Sequence, residues 1–123
     1  MAQRKILFVD DEPMVASLMK SRMESRGFLV ETASEGASGL EKAKTWQPDF
    51  ILLDIIMPGM DGYETCRRLK AMKETARIPV VLFTAGQETQ LEVLAQKVGA
   101  VRVVKKPFVD QVFKAIDEIL GPE

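Results

Sequence analysis

Phe50-Ile51-Leu52-Leu53-Asp54 is a short run of apolar residues closed by a carboxylate. So short an apolar run reads as a strand covered by helices on both faces, as in a parallel sheet. Upstream, Gly36, Leu40 and Ala43 recur at helical spacing, and Pro48 ends that helix. Downstream, the loop Met57-Pro58-Gly59-Met60-Asp61-Gly62 leads into a helix carrying Tyr63, Cys66 and Leu69. Ile78 to Phe83 repeats the apolar run, with Pro79 near its start where a missing N–H is tolerated, and Ile6 to Val9 is a third such run.

The remaining chain continues the alternation. Val15, Leu18, Met19 and Met23 form a helix, with Pro13 in its first turn, an aspartate just upstream able to cap it, and Gly27 as its stop. Phe28 to Ala33 and Val101 to Val104 are strands containing Glu31, Thr32 and Arg102, so they read as sheet edges. Leu91, Leu94, Ala95 and Val98 mark a fourth helix; Val112, Phe113, Ile116, Ile119 and Leu120 mark a fifth. Five strands alternating with five helices predict an α/β domain whose first, third and fourth strands lie in the middle. With 123 residues, the expectation is one domain spanning 1–123, without repeats or internal linkers.

Composition narrows the chemistry. A net charge of −1 makes no case for nucleic-acid or anionic-membrane binding, and no apolar run approaches a membrane span. The single cysteine, Cys66, suits a reducing compartment, and the expectation is a cytoplasmic protein. The absence of histidine removes His-based triads and His zinc sites.

Polar residues fall where the strands end. Asp10 and Asp11 follow the first strand, Asp54 the third, Thr84 the fourth and Lys106 the fifth. In an open parallel sheet these ends share one edge, where ligands bind. Three carboxylates that close repel one another, and a divalent cation relieves this. Oxygen ligands with few protein donors favour Mg²⁺. Cation, ammonium, hydroxyl and a spare carboxylate together describe a site for a phosphoryl group, with an aspartate as nucleophile.

The stretches Ile6-Leu7-Phe8-Val9-Asp10-Asp11-Glu12, Leu52 to Gly62, Phe83-Thr84-Ala85, Gly99-Ala100 and Lys106-Pro107-Phe108 occur in the order and spacing of a known family. Over nearly its whole length the chain resembles the response-regulator receiver domains of two-component systems. The resemblance implies a flavodoxin-like, doubly wound (βα)5 fold with strand order 2-1-3-4-5. It implies that Asp54 accepts phosphate from a sensor histidine kinase or phosphotransfer protein. Asp11, Asp54 and the Ile56 carbonyl would ligate Mg²⁺, with Asp10 acting through a bound water, while Thr84 and Lys106 hold phosphoryl oxygens. A cis bond before Pro107 is implied as well. The output surface would be the fourth helix, fifth strand and fifth helix. The chain departs from the family at Val103, where an aromatic residue usually reports activation, and it carries Ile56 and Gly86 beside the phosphoryl position.

Two other functions compete. One is a receiver-like interaction module that never carries phosphate; the intact Asp10, Asp11, Asp54, Thr84 and Lys106 set argues against it. The other is a phosphatase with an aspartate nucleophile. Such enzymes usually place an acid two residues later, where this chain has Ile56. A signalling switch, not a turnover enzyme, is expected. Outside the site the simpler readings hold. The methionines and Cys66 are core or loop packing, Trp46 is a partly exposed packing residue, and Arg67, Arg68, Lys70 and Lys73 form a solvated helix face. Val101 and Val103 fit either core or a partner surface, with the partner surface preferred.

Overall fold

The computed structural model describes residues 3–86 and 90–121. Its elements are β1 (Lys5–Val9), α1 (Pro13–Ser25), β2 (Leu29–Ala33), α2 (Gly36–Trp46), β3 (Phe50–Leu53), α3 (Gly62–Ala71), β4 (Val80–Thr84), α4 (Leu91–Val98), β5 (Arg102–Lys105) and α5 (Val109–Leu120). The strands form one parallel sheet in the order β2-β1-β3-β4-β5, the topology expected from the sequence. Among the described residues no helix is long and apolar enough to cross a membrane.

Strand side chains alternate between faces, so the central apolar runs feed two cores. Leu7, Val9, Ile51, Leu53, Val80 and Leu82 meet Ala43 of α2, Cys66 and Leu69 of α3, and Leu91 and Ala95 of α4. Ile6, Phe8, Phe50, Leu52, Val81 and Phe83 meet Met19 and Met23 of α1 and Val112, Phe113 and Ile116 of α5. Every residue of β3 and β4 is buried, which is why neither strand shows a polar alternation.

Helix ends explain the punctuation. Gly27, at φ 96°, donates to Glu24 O while Phe28 N–H donates to Met23 O, closing α1 with a left-handed glycine. Gln47, also left-handed at φ 54°, closes α2 one residue before Pro48.

Several local expectations are corrected. No aspartate side chain caps α1: its N-cap is Glu12, which makes no side-chain cap hydrogen bond. Instead Asp10 Oδ1 accepts from the Glu12 N–H at 2.9 Å, so the upstream acid folds the turn rather than the helix. Leu18 is exposed despite its helical spacing, because the stripe α1 buries is narrow and centred on Met19 and Met23. Met14 is likewise exposed and packs into neither core. Lys70 is not solvated like Arg67 and Arg68. It turns inward and donates to the carbonyls of Ala76 and Ile78, tying the end of α3 to the approach of β4. That approach is a turn, in which Ile78 N–H donates to Thr75 O, so β4 begins at Val80 and runs on to Thr84. Val101 is exposed, whereas Val103 packs against the core under α4.

Candidate functional site

The parallel register brings the strand ends together. Val9 pairs with Leu53, and Leu53 with Leu82. The backbone continues the ladder past the strands: Asp10 N–H donates to Ala33 O, Asp54 N–H to Val9 O and Lys106 N–H to Thr84 O. Asp10, Asp54 and Thr84 are thereby buried at the carboxyl edge of the sheet. Lys106 enters from the loop after β5, across a cis bond to Pro107.

The side chains form one electrostatic unit. Lys106 Nζ donates to Asp10 Oδ2 at 2.7 Å and lies 3.5 Å from Asp54 Oδ2 and 3.6 Å from Glu12 Oε1. It also sits 5.7 Å from the centre of the Phe83 ring. Asp54 Oδ1 accepts from the Ile55 N–H at 2.8 Å, which leaves Oδ2 facing the cleft. Burial raises the Asp54 pKa to about 6; Lys106 pulls against that shift and Asp10 adds to it. Burial works against the Lys106 charge, yet its bond to Asp10 and the nearby Asp54 and Glu12 hold its pKa above the ordinary value.

Carboxylate oxygens of Asp10, Glu12 and Asp54 lie within 4.8 Å of one another. Even with Lys106 beside it, Asp54 holds a proton more tightly than an ordinary aspartate, chiefly because it is buried and secondarily because Asp10 lies close. A hard divalent cation suits the Asp10 and Asp54 oxygens of this group. Glu12 was absent from the carboxylates picked out by sequence. Asp11 was among them, but it stands outside this tight group and lines an adjoining groove of about 450 Å³ with Asp10, Ser17, Lys20 and Thr32. The signal for Glu12 lies in its position two residues after Asp10, where its backbone is bonded to that side chain.

Glycines set the shape of the cleft. Gly62 donates to Ile55 O, and a Cβ on it would overlap the Asp54 carbonyl oxygen and reach 2.6 Å from Ile55 Cα. The start of α3 therefore sits directly behind the Asp54 backbone. Thr84 Oγ1 accepts from the Gly86 N–H at 3.0 Å. Ile56, two residues after Asp54, has an exposed side chain, and Met14 and Leu18 of α1 and Phe108 before α5 are exposed as well.

Residues 6–117 match the response regulator receiver domain family. The chain is 40% identical over 105 residues to the alkaline phosphatase synthesis transcriptional regulatory protein PhoP of Bacillus subtilis, covering 85% of this chain and 43% of that protein. It thus spans less than half the length of several regulators it matches. It is 32% identical over 118 residues to protein PilH of Pseudomonas aeruginosa, covering 95% of this chain and 98% of that one. Its fold superposes on the chemotaxis protein CheY4 of Vibrio cholerae with a TM-score of 0.90 at 27% identity, covering 96% of this chain and 99% of the other.

Proposed function

This chain belongs to the response regulator receiver domain family, whose members are signalling switches rather than turnover enzymes, and we propose that Asp54 is its phosphoacceptor. The observation that carries the reading is Asp54 itself: a buried carboxylate with one oxygen fixed by a backbone N–H and the other turned to Lys106. Oδ2 attacks the phosphorus of a phosphohistidine. The new O–P bond forms as the P–N bond breaks, and the imidazole leaves with its electron pair. The Lys106 ammonium and the Thr84 hydroxyl donate to the phosphoryl oxygens.

Asp11, Asp54 and the Ile56 carbonyl, with Asp10 and Glu12 close by, would hold Mg²⁺, which would supply neutralisation of the phosphoryl charge. The donor is a histidine kinase or phosphotransfer protein. The exposed Met14 and Leu18, one helical turn apart on α1, offer it an apolar contact on that helix. Binding of the phosphoryl group draws on the Thr84 hydroxyl, whose oxygen already accepts from the Gly86 N–H, so Gly86 follows it. Output then runs through α4, β5 and α5. Ala95, Gln96, Ala100, Val101 and Val103 line a groove there of about 250 Å³, and Val93 is exposed on α4. The setting is the cytoplasm.

The test is intact-mass spectrometry after incubation with acetyl phosphate and Mg²⁺. One phosphoryl group is expected on the wild type and none on Asp54→Asn. Equal labelling of both proteins would move the acceptor elsewhere.

A further inference from the structure

Lys106 and the cation compete for the same oxygens. Asp10 Oδ1 is committed to the Glu12 N–H, so its only other oxygen is Oδ2, and Lys106 occupies it. The carboxylates facing the ammonium, among the described residues, are Asp10, Asp54 and Glu12. A cation held at Asp54, with Asp10 reaching it through a bound water, would draw on those two partners and repel the ammonium beside it. Lys106 is 12% exposed and cannot simply swing into water. The Phe83 ring is a weak substitute for a carboxylate. Glu12 remains. Its side chain is 62% exposed, and its Oε1 already lies 3.6 Å from Nζ.

We infer that Glu12 is a positioning residue that receives Lys106 when a divalent cation engages Asp10 and Asp54, holding the ammonium at the mouth of the cleft. Its backbone fixes Asp10 while its side chain takes the lysine. The inference rests on the reading of this cleft as a cation and phosphoryl site. It adds a reason why an exposed acid should govern cation affinity: without Glu12, Lys106 stays on Asp10 and the cation must displace it unaided.

The experiment is a double-mutant cycle on Mg²⁺ affinity, measured by calorimetry at physiological salt on the unphosphorylated protein. Glu12→Gln keeps the shape and the backbone bond to Asp10. It is expected to weaken Mg²⁺ binding several-fold when Lys106 is present. In the Lys106→Met background the same change should matter by less than about twofold, the usual scatter of additive sites. An equal loss in both backgrounds would mean that Glu12 acts on the ion directly and would overturn the inference, as would no loss in either. Lys106→Met strips a buried pair of its cation and risks the fold, so a second measurement uses the wild type alone. The nuclear Overhauser contact between the Lys106 Hε and Glu12 Hγ protons should strengthen on Mg²⁺ saturation. Weakening, or no change, refutes the hand-over. A wild type that binds no Mg²⁺ at all would remove the cation reading itself, and this inference with it.

Discussion

Asp54 lies almost wholly inside the protein, its pKa raised from 3.8 to about 6 chiefly by burial, with Lys106 pulling the other way. The folded state therefore holds this proton more tightly than the unfolded chain does, and the stability due to it is lost as pH rises through the window from 3.8 to about 6. Above that window the ionised side chain costs the metal-free fold on the order of 3 kcal/mol. Asp54→Asn removes the charge and keeps the shape. Its urea midpoint in chelator should exceed that of the wild type at neutral pH, and the gain should shrink toward the acid end of the window. A mutant less stable than wild type at neutral pH would show that the Lys106 contact outweighs burial. Asp54, Thr84 and Lys106 were legible in the sequence because each closes a strand or follows one directly. Glu12 was not. Three acids in a row on a loop carry no periodicity, and only the folded chain shows that Asp10 and Glu12 turn toward the lysine.

At the scale of elements, the packing of α3 against the end of β3 decides whether the cleft holds its shape. Gly62 leaves no room for a side chain, since the obstructing atoms are Asp54 and Ile55 backbone, which do not yield as a flexible side chain does. Gly62→Ala should cost about 3 kcal/mol or more in chemical denaturation. Gly59, at φ 76° with open space around it, provides the comparison. There alanine meets only the left-handed backbone penalty, about 1 kcal/mol. If the two substitutions cost the same, close packing at Gly62 is not what shapes the site. Strand identity and order were readable because a run buried on both faces has a distinctive all-apolar composition. Strand limits were less so, because backbone bonding rather than composition sets where Ile78 and Pro79 stop being a turn and Val80 begins the ladder. Leu18 misled for a related reason: helical spacing marks a face, and only tertiary packing decides how wide that face is buried.

Across the whole molecule the sheet has a working end and a quiet end. Trp46 belongs to the quiet end. Lys5, at the first residue of β1, donates to the Trp46 carbonyl at 3.1 Å and lies 5.5 Å from the centre of its ring. The indole therefore sits a full strand length from Asp10 and Asp54. Its fluorescence should change little when Mg²⁺ or beryllofluoride is added. Strong saturable quenching would require the two ends to move together, which nothing in this packing provides for.

That quiet end is also where Arg4 Nη1 donates to the Gly121 carbonyl at 2.7 Å, joining the entry of β1 to the exit of α5. Sequence neighbours 117 apart are spatial neighbours here. A short peptide bridge could splice them, and the chain could then be reopened at a surface turn as a circular permutant with its sheet order intact. By the same geometry, cargo fused at either of these points projects from the base of the sheet and leaves the mouth of the cleft open to a visiting donor. The expected outcome of such a permutant or fusion is an unchanged fold, which circular dichroism and thermal melting would check.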